Sequence, residues 1–305
     1  MEKSALEVCY MNYLTKQILI LILIVPISTV SAQWGALPGA VVEEMEFGAI
    51  NYSQGYITAV GIGAIPENVS SAGQARANAI RAAKIDALRN LAELVNDVRI
   101  NSETTIKMGV VESDVIKSGV NAILRGAKQV GDVKYLSDSS VEITMGISMG
   151  GILDLVFANP NQLKVSETSS EIFVERKTTQ EQTPAPIPAR TSEPVTGIIV
   201  DGRGLGVKPS MSPRVLTENG DVIYGPGSYP VDYAVAQGVV GYHKDPKAAE
   251  GDTRVKGNPL VIKAVGISGK LSTDLVISSN DAKIVFSYNK RNDFLGKCKV
   301  MFILD

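Results

Sequence analysis

The sequence predicts an α+β protein in which two small mixed α/β domains follow a signal peptide and are joined by a linker rich in Pro, Thr and Glu. Three observations lead to this fold class: an apolar segment near the N-terminus, a proline-rich polar stretch in the middle, and strand and helix patterns on both sides of it. The predicted regions are a signal peptide at 1–32, a first domain at 34–158, the linker at 159–194 and a second domain at 195–305.

The N-terminal segment has the pattern of a secretory signal peptide. Lys16 precedes an apolar run of roughly 8 to 13 residues, whereas a helix needs about 20 apolar residues to cross a bilayer. Cleavage is expected between Ala32 and Gln33. The alternative is an uncleaved inner-membrane anchor, and translation can start at either Met1 or Met11. The pattern predicts a periplasmic protein.

The composition argues against several classes of function. The chain has 30 Lys and Arg against 32 Asp and Glu, a balance that predicts no nucleic-acid binding and no strong attraction to anionic lipid. Loss of the signal peptide would remove Cys9 and leave Cys298 alone, so no intrachain disulfide is expected. Cys298 lies in an apolar run and is interpreted as a buried structural thiol. Because His243 is the one histidine, the ligands are too few for an ordinary zinc site. A calcium site built from carboxylates is left open, but no Asp-rich loop with suitable spacing is present, and we expect no metal and no cofactor.

The first domain begins with a strand and a long helix. The strand is predicted over 56–63 from its β-branched residues and final glycine, and the helix over 75–98, capped by Ser70 or Ser71. The helix carries an apolar stripe at three- and four-residue spacing, formed by Ile80, Ala83, Ala87, Leu88, Leu91, Leu94, Val95 and Val98. In residues 98–108, apolar or small side chains at the even-numbered positions then alternate with polar side chains at the odd-numbered positions. This alternation predicts a strand with one solvated face.

The rest of the first domain is predicted as a helix, a hairpin and a short helix. The patterns place these elements at 113–125, at 130–136 with 141–149, and from Gly150 to about Phe157. We expect a sheet covered by one long helix and one shorter helix.

Gly61 and Gly63 lie between a predicted strand and a predicted helix, where a dinucleotide fingerprint has its first two glycines. The position of the third glycine is Pro66, and no acidic residue follows a second parallel strand at the proper place. The pattern therefore favours a strand that ends in glycine over a nucleotide site.

The strand GYITAVGIG at 55–63, together with the Ala/Arg-rich helix ARANAIRAAKIDALRNLAEL at 75–94, carries a family resemblance. This module resembles the small bacterial outer-membrane lipoproteins typified by a twenty-kilodalton lipoprotein, and it is similar to the N-terminal domain of a periplasmic flagellar ring protein. The resemblance covers residues 54–157. It implies an exported, non-enzymatic envelope protein, in some members part of the flagellar basal body. The lipid-bearing cysteine is absent, because Gln33 occupies its place, so outer-membrane proximity is expected without a lipid anchor.

The second domain is predicted as mixed α/β. Strands are expected at 196–200, 213–217, 221–224, 239–243, 260–267, 275–277 and 299–304, helices at 230–236 and 281–289, and a loop at 244–259. The final strand is expected inside a sheet, because an exposed apolar strand would invite edge pairing.

The segment DGRGLGVKPS at 201–210 looks most like a site. A Walker-type loop needs lysine directly after its last glycine and a helix behind it, whereas Val207 intervenes here and Pro209 follows. A phosphate site is therefore not expected. Two interpretations remain: the glycines build a bend, or the loop contacts a partner. The residues of this candidate partner-binding loop are Asp201, Arg203, Gly204, Gly206 and Lys208.

The function expected from these observations is an exported, non-enzymatic envelope scaffold or assembly protein, with flagellar association as one version. Its partners would be envelope or flagellar proteins or a second copy of the chain. The alternative is a periplasmic binding module for peptidoglycan or another surface polymer, which would use the 201–210 loop. A hydrolase built around His243 is a third hypothesis, but no serine lies in a nucleophile-elbow context, so no catalytic residue is expected.

Overall fold

The computed structural model describes residues 37–65, 71–161 and 194–305. The signal peptide, the cleavage site at Ala32 and Gln33, Pro66 and most of the predicted linker lie outside these described residues. Within them the chain is α+β, as predicted, with helices and three sheets. None of the helices in these ranges combines the length and the apolar content needed to cross a membrane.

The first domain contains a five-stranded antiparallel sheet and helices that pack on it. The sheet order is β1-β2-β3-β5-β4. Its strands are β1 (Val42–Met45), β2 (Gly48–Asn51), β3 (Tyr56–Gly63), β4 (Lys128–Tyr135) and β5 (Val141–Ser148). The helices are α1 (Ala72–Asp97), α2 (Ile106–Glu112), α3 (Asp114–Arg125) and α4 (Met149–Ala158).

The predicted strand at 56–63, the hairpin and the helices near α1, α3 and α4 are confirmed, with ends shifted by a few residues. The hairpin of β1 and β2 was not predicted. Ser71 occupies the N-cap position of α1 but makes no side-chain capping bond, whereas Ser113 caps α3 by accepting a hydrogen bond from the Ile116 amide.

Small residues determine how α1 packs on β3. Ala79, Ala83 and Ala87 are fully buried and recur every four residues, so they form one stripe of the helix. A Cβ at Gly61 would lie 2.1 Å from the Ala87 nitrogen, and one at Gly63 would lie 2.1 Å from the Ala79 oxygen. Both glycines are needed because the two backbones approach each other too closely for any side chain.

The prediction of a strand at 98–108 is wrong. Residues 98–105, here called the junction loop, fold back on themselves, and α2 begins at Ile106. The side chain of Asn101 forms the turn by accepting hydrogen bonds from the Glu103 and Thr104 amides, both at 2.9 Å. The even-numbered side chains of the loop are buried, as the alternation suggested, and Asn101 is buried as well. The second domain, rather than a neighbouring strand, bonds to the loop backbone at Arg99, Ile100 and Ser102.

The second domain has two four-stranded sheets. The first has the order β10-β6-β13-β9 and is parallel throughout; the second has the order β11-β12-β7-β8 and is mixed. Their strands are β6 (Ile198–Asp201), β7 (Val215–Thr217), β8 (Val222–Tyr224), β9 (Gly241–His243), β10 (Leu260–Lys263), β11 (Gly266–Ser268), β12 (Asp274–Ile277) and β13 (Val300–Ile303). The helices are α5 (Val231–Gln237), α6 (Pro246–Gly251) and α7 (Ser279–Asn292).

Two predictions in this domain are corrected. The strand expected at 260–267 divides into β10 and β11, which belong to different sheets, because the Ala264 amide bonds to Asp201 in one sheet and the Val265 amide to Val276 in the other. The loop expected at 244–259 contains α6, with Asp245 as its cap and Pro246 in its first turn. The final strand lies inside a sheet, as expected, between β6 and β9.

The two domains pack into one compact unit over the described residues. A single connected cluster of buried apolar side chains includes Ile100 and Met149 from the first domain and Met211 and Tyr229 from the second. The ring of Tyr52 meets the ring of Tyr242 edge-on, with centroids 6.0 Å apart. The interface between the domains is therefore part of the hydrophobic core.

Candidate functional site

The 201–210 loop follows β6 and is closed by bonds within the second domain. The Arg203 guanidinium donates from Nε to Asp201 Oδ1 at 2.9 Å and from Nη2 to Asp201 Oδ2 at 2.7 Å. This pairing lowers the pKa of the Asp201 carboxyl, mainly through the side-chain hydrogen bond. Arg203 thus lies back on its own loop.

The remaining loop residues have different surroundings. Gly204 and Gly206 have φ angles of +78° and +71°, and neither has a neighbour near its Cβ direction, so backbone conformation alone favours glycine there. The Gly204 amide donates to both carboxylate oxygens of Asp305, at 2.9 and 3.0 Å. Lys208 is exposed, and its amide donates to the Ser272 carbonyl. The structure therefore brings Asp201 and Arg203 together, while Lys208 is fixed by its backbone.

His243 and Cys298 are both held by structural contacts. His243 ends β9, as expected, but is half-buried, and its Nδ1 accepts a hydrogen bond from the Asp245 amide at 2.9 Å. Gly39 of the first domain packs so closely on the imidazole that a Cβ there would lie 2.4 Å from Cε1. Cys298 is fully buried, as predicted, and burial raises the pKa of its thiol. Among the described residues, His, Cys, Asp and Glu side chains form no group of three that could hold a metal ion.

The junction loop inserts into the second domain through backbone hydrogen bonds. The amides of Met211 and Ser212 donate to the carbonyls of Arg99 and Ile100, at 2.9 and 2.7 Å. On the other side of the loop, the Leu271 amide donates to the Ser102 carbonyl at 2.9 Å. The loop is thus held from two sides by segments that are distant in the sequence.

A buried ion pair lies beneath the junction loop. Arg214 donates to Asp274 from its backbone amide, from Nε at 2.8 Å and from Nη2 at 2.7 Å, and the same Nη2 lies 3.0 Å from Ser102 Oγ. Asp274 has no exposed surface and Arg214 is 7% exposed. Burial raises the pKa of the Asp274 carboxyl, and the Arg214 guanidinium opposes that rise. The pair connects the second domain to the hydroxyl of Ser102 in the first.

A cleft of about 200 Å³ lies where the two domains meet. The first domain contributes the turn after β2 and the start of α4, and the second contributes residues 210–211, the end of α5 and Arg254. Sequence reasoning did not find this cleft, because its residues come from segments with no shared motif. One signal was available: Ser148 before the Gly150-Gly151 pair is a cap pattern, and Ser148 Oγ does accept a hydrogen bond from the Gly150 amide.

One comparison with known proteins gives a match to the second domain. Residues 197–305 match a family model described as Treponema pallidum Tp0624, second domain. A search of curated proteins gives no match. The matched residues coincide with the second domain of the structure, which is consistent with a two-domain α+β layout.

Proposed function

We propose that this chain is an exported envelope protein that acts as a scaffold or in assembly, through contacts with other proteins. The observation that carries the proposal is a set of three exposed apolar side chains on α2 and at the start of α3. Met108 and Val111 are three residues apart and share one side of α2, and Val115 follows at the start of α3. All three side chains are exposed, and that of Val111 is 80% exposed. Grouped apolar side chains on a surface mark contact sites, whereas single ones need no explanation.

The packing of the two domains supports the same role. A scaffold holds its partners in a fixed relative position, and two domains that share a core and are bonded through Arg214 and Ser102 form a rigid body suited to that task. Export is supported by the signal-peptide pattern. Flagellar association is supported by the resemblance of residues 54–157 and forms part of the proposal.

The proposal is tested by cross-linking followed by a pull-down from periplasmic extract. We compare the natural chain with Val111→Glu and with Ile85→Glu, a control of similar exposure on α1. The natural chain and the control should recover the same envelope partners, and Val111→Glu should lose them. Recovery of no partner, or equal loss in both variants, would contradict the proposal. A deletion strain that swims normally would remove the flagellar version.

A second candidate is a binding module for peptidoglycan or another surface polymer, and one contact favours it. The Gly204 amide holds a carboxylate, that of Asp305, so the loop is already shaped to receive such a group. Replacing Asp305 by Ala would uncover that amide. We expect Asp305→Ala to sediment with purified cell wall more than the natural chain does, and no sedimentation of either protein would overturn this candidate.

A further inference from the structure

Each of the three sheets formed by the described residues has two edge strands, and several of these edges are interrupted or covered. The pairing of β4 shifts register between Val130 and Lys134, and that of β8 is irregular as well. Such shifts disrupt the ladder and protect an edge. Just after β9, the Lys244 amide donates to the Gly39 carbonyl of the first domain, and β11 has only three residues. The regular edges of four residues are therefore β1 and β10.

The edge strand β10 carries backbone groups that point away from its neighbour β6. The amides of Leu260 and Ala264 donate to carbonyls at or next to the two ends of β6, at 2.8 and 2.9 Å. Successive residues of a strand direct their N–H and C=O groups to opposite sides, so those of Val261 and Lys263 point to the outer side. Among the described strands β10 pairs with β6 alone. This outer side can accept a further strand.

The edge strand β1 has the same arrangement. The Tyr52 amide donates to the Val41 carbonyl at 3.0 Å, so the odd-numbered residues of this segment bond to β2. The N–H and C=O groups of Val42 and Glu44 therefore point to the outer side. Both edges thus offer the backbone groups of two alternate residues.

The side chains of these residues make the two edges complementary. Val42 and Glu44 share one face of the first-domain sheet, and Val261 and Lys263 share one face of the second-domain sheet, because side chains alternate along a strand. Glu44 and Lys263 are exposed, Val261 is 52% exposed and Val42 is half-buried. Each edge presents one valine and one charged side chain, and the two charges are opposite.

The charges of Glu44 and Lys263 are available to a partner. None of the salt bridges among the described residues includes either side chain. Asp201 lies in register with Lys263 on the neighbouring strand, but both oxygens of its carboxylate are bound by Arg203. The hydrogen bond from Arg203 accordingly lowers the pKa of the Asp201 carboxyl more than the charge of Lys263 does.

These charges also select between the possible pairings of two copies. Like charges that face each other across two strands are destabilising, and a charged residue on an edge opposes pairing with the same edge. Glu44 therefore disfavours β1 against β1, and Lys263 disfavours β10 against β10. The pairing that brings opposite charges together is β1 against β10.

We propose that β1 of one chain pairs antiparallel with β10 of a second copy, so that the protein assembles head to tail. Val42 then faces Lys263 and Glu44 faces Val261, and each facing pair exchanges both of its backbone hydrogen bonds. Glu44 and Lys263 lie diagonally across the two strands, within reach of an ion pair, and the two valines form the other diagonal. Because two different surfaces meet, the assembly extends until it closes into a ring or ends with one free edge of each kind.

Sedimentation velocity of the purified natural chain at increasing concentration tests the proposal. Interfaces below about 1,200 Å² are weak, so the series extends to about 1 mM protein. We expect Glu44→Lys and Lys263→Glu each to weaken self-association at least about tenfold, because each brings like charges together. The double variant with both changes restores opposite charges and should associate like the natural chain. A natural chain that stays monomeric, or a double variant that stays as weak as the single ones, would overturn the proposal.

Two matched controls and one mixture separate pairing from folding. Glu93→Lys on α1 and Lys290→Glu on α7 make the same changes of charge at exposed positions outside both edges, and they should associate like the natural chain. An equimolar mixture of Glu44→Lys and Lys263→Glu should associate although neither variant does alone, because each supplies the edge that the other lacks. Loss of association in the controls, or no association in the mixture, would contradict pairing through these edges.

The proposal does not rest on the three exposed apolar side chains of α2 and α3. Val111→Glu should therefore self-associate like the natural chain, even where it loses its envelope partners. Loss of self-association in Val111→Glu would place the contact on those helices and overturn the pairing of β1 with β10.

Discussion

Gly61 and Gly63 bring the backbone of β3 against the backbone of α1. The spacing Gly-x-Gly resembles part of a nucleotide fingerprint, but its physical reason here is close packing on a stripe of alanines. The sequence contained both halves of this contact, the glycines and the alanines. It did not show that they meet, because contact between a strand and a helix depends on the register of both elements.

Replacing Gly61 by Ala should destabilise the protein by about 1–3 kcal/mol or more, because the added methyl group meets backbone atoms that have no freedom to rotate away. Ile62→Ala is the control, since the Ile62 side chain is exposed and its loss should change the free energy of unfolding by no more than about 0.5 kcal/mol. Urea unfolding of the two variants measures the difference. Equal stability would contradict the packing argument.

The two aspartate–arginine pairs of the second domain have very different energetic weight. Asp201 and Arg203 are partly exposed, and solvent screens such pairs, so this pair contributes little to stability. Asp274 and Arg214 are buried, and removal of one partner leaves an uncompensated charge in the interior, at a cost of about 3–5 kcal/mol. We therefore expect Asp274→Ala to lower the free energy of unfolding far more than Asp201→Ala. Unfolding in guanidinium chloride tests this expectation. A similarly small loss of unfolding free energy in both variants would contradict it.

At the scale of elements, the junction loop is where a strong pattern predicted the wrong structure. Alternation of buried and exposed side chains requires a surface on one side of the chain, and a sheet is only one source of such a surface. Here segments of the second domain bond to the backbone of Arg99, Ile100 and Ser102, and Gly269 and Arg214 contact the Ser102 side chain. The covering segments lie more than 100 residues further along the chain, so no local signal could identify them.

Most other elements were predictable because their signals are local. The strand β3 has β-branched residues and a final glycine, the α3 helix has a serine cap, and the β4–β5 hairpin has turn residues between two alternating runs. The helix α6 also has a local signal, the Asp-Pro pair at its start. The glycines and prolines around this pair favoured a loop instead. For the candidate site, Asp201 and Arg203 were found in the sequence, but the cleft was not.

The contact between Gly269 and the junction loop can be tested by a matched pair of glycine variants. Gly269 has a φ angle of +83°, and a Cβ there would lie 2.1 Å from the Cβ of Ser102. Gly204 has a similar φ angle of +78° but no neighbour within 4 Å. Both changes to Ala cost about 1–2 kcal/mol of backbone strain, so any further loss in Gly269→Ala reports the contact between the domains. Thermal unfolding should show a clearly lower melting temperature for Gly269→Ala than for Gly204→Ala.

At the scale of the whole molecule, the two domains should unfold together. Their buried apolar side chains form one connected cluster, and the junction loop is bonded on both sides to the second domain. Domains joined only by a linker would open independently, each with its own free energy. Here the opening of the second domain would expose Ile100 of the first domain. The opening of the first domain would expose the Arg214–Asp274 pair of the second.

Hydrogen exchange measures this coupling directly. Amides of β3 in the first domain and of β13 in the second should exchange with the same opening free energy, because both require global unfolding. In Gly269→Ala the displaced junction loop should uncouple the domains, so that one strand exchanges faster than the other, whereas Gly204→Ala should keep them equal. Different opening free energies in the natural chain would show that the domains are independent. In that case the two domains would not form a rigid body, and the proposed scaffold role would lose part of its support. Separable domains could not hold two partners in a fixed relative position.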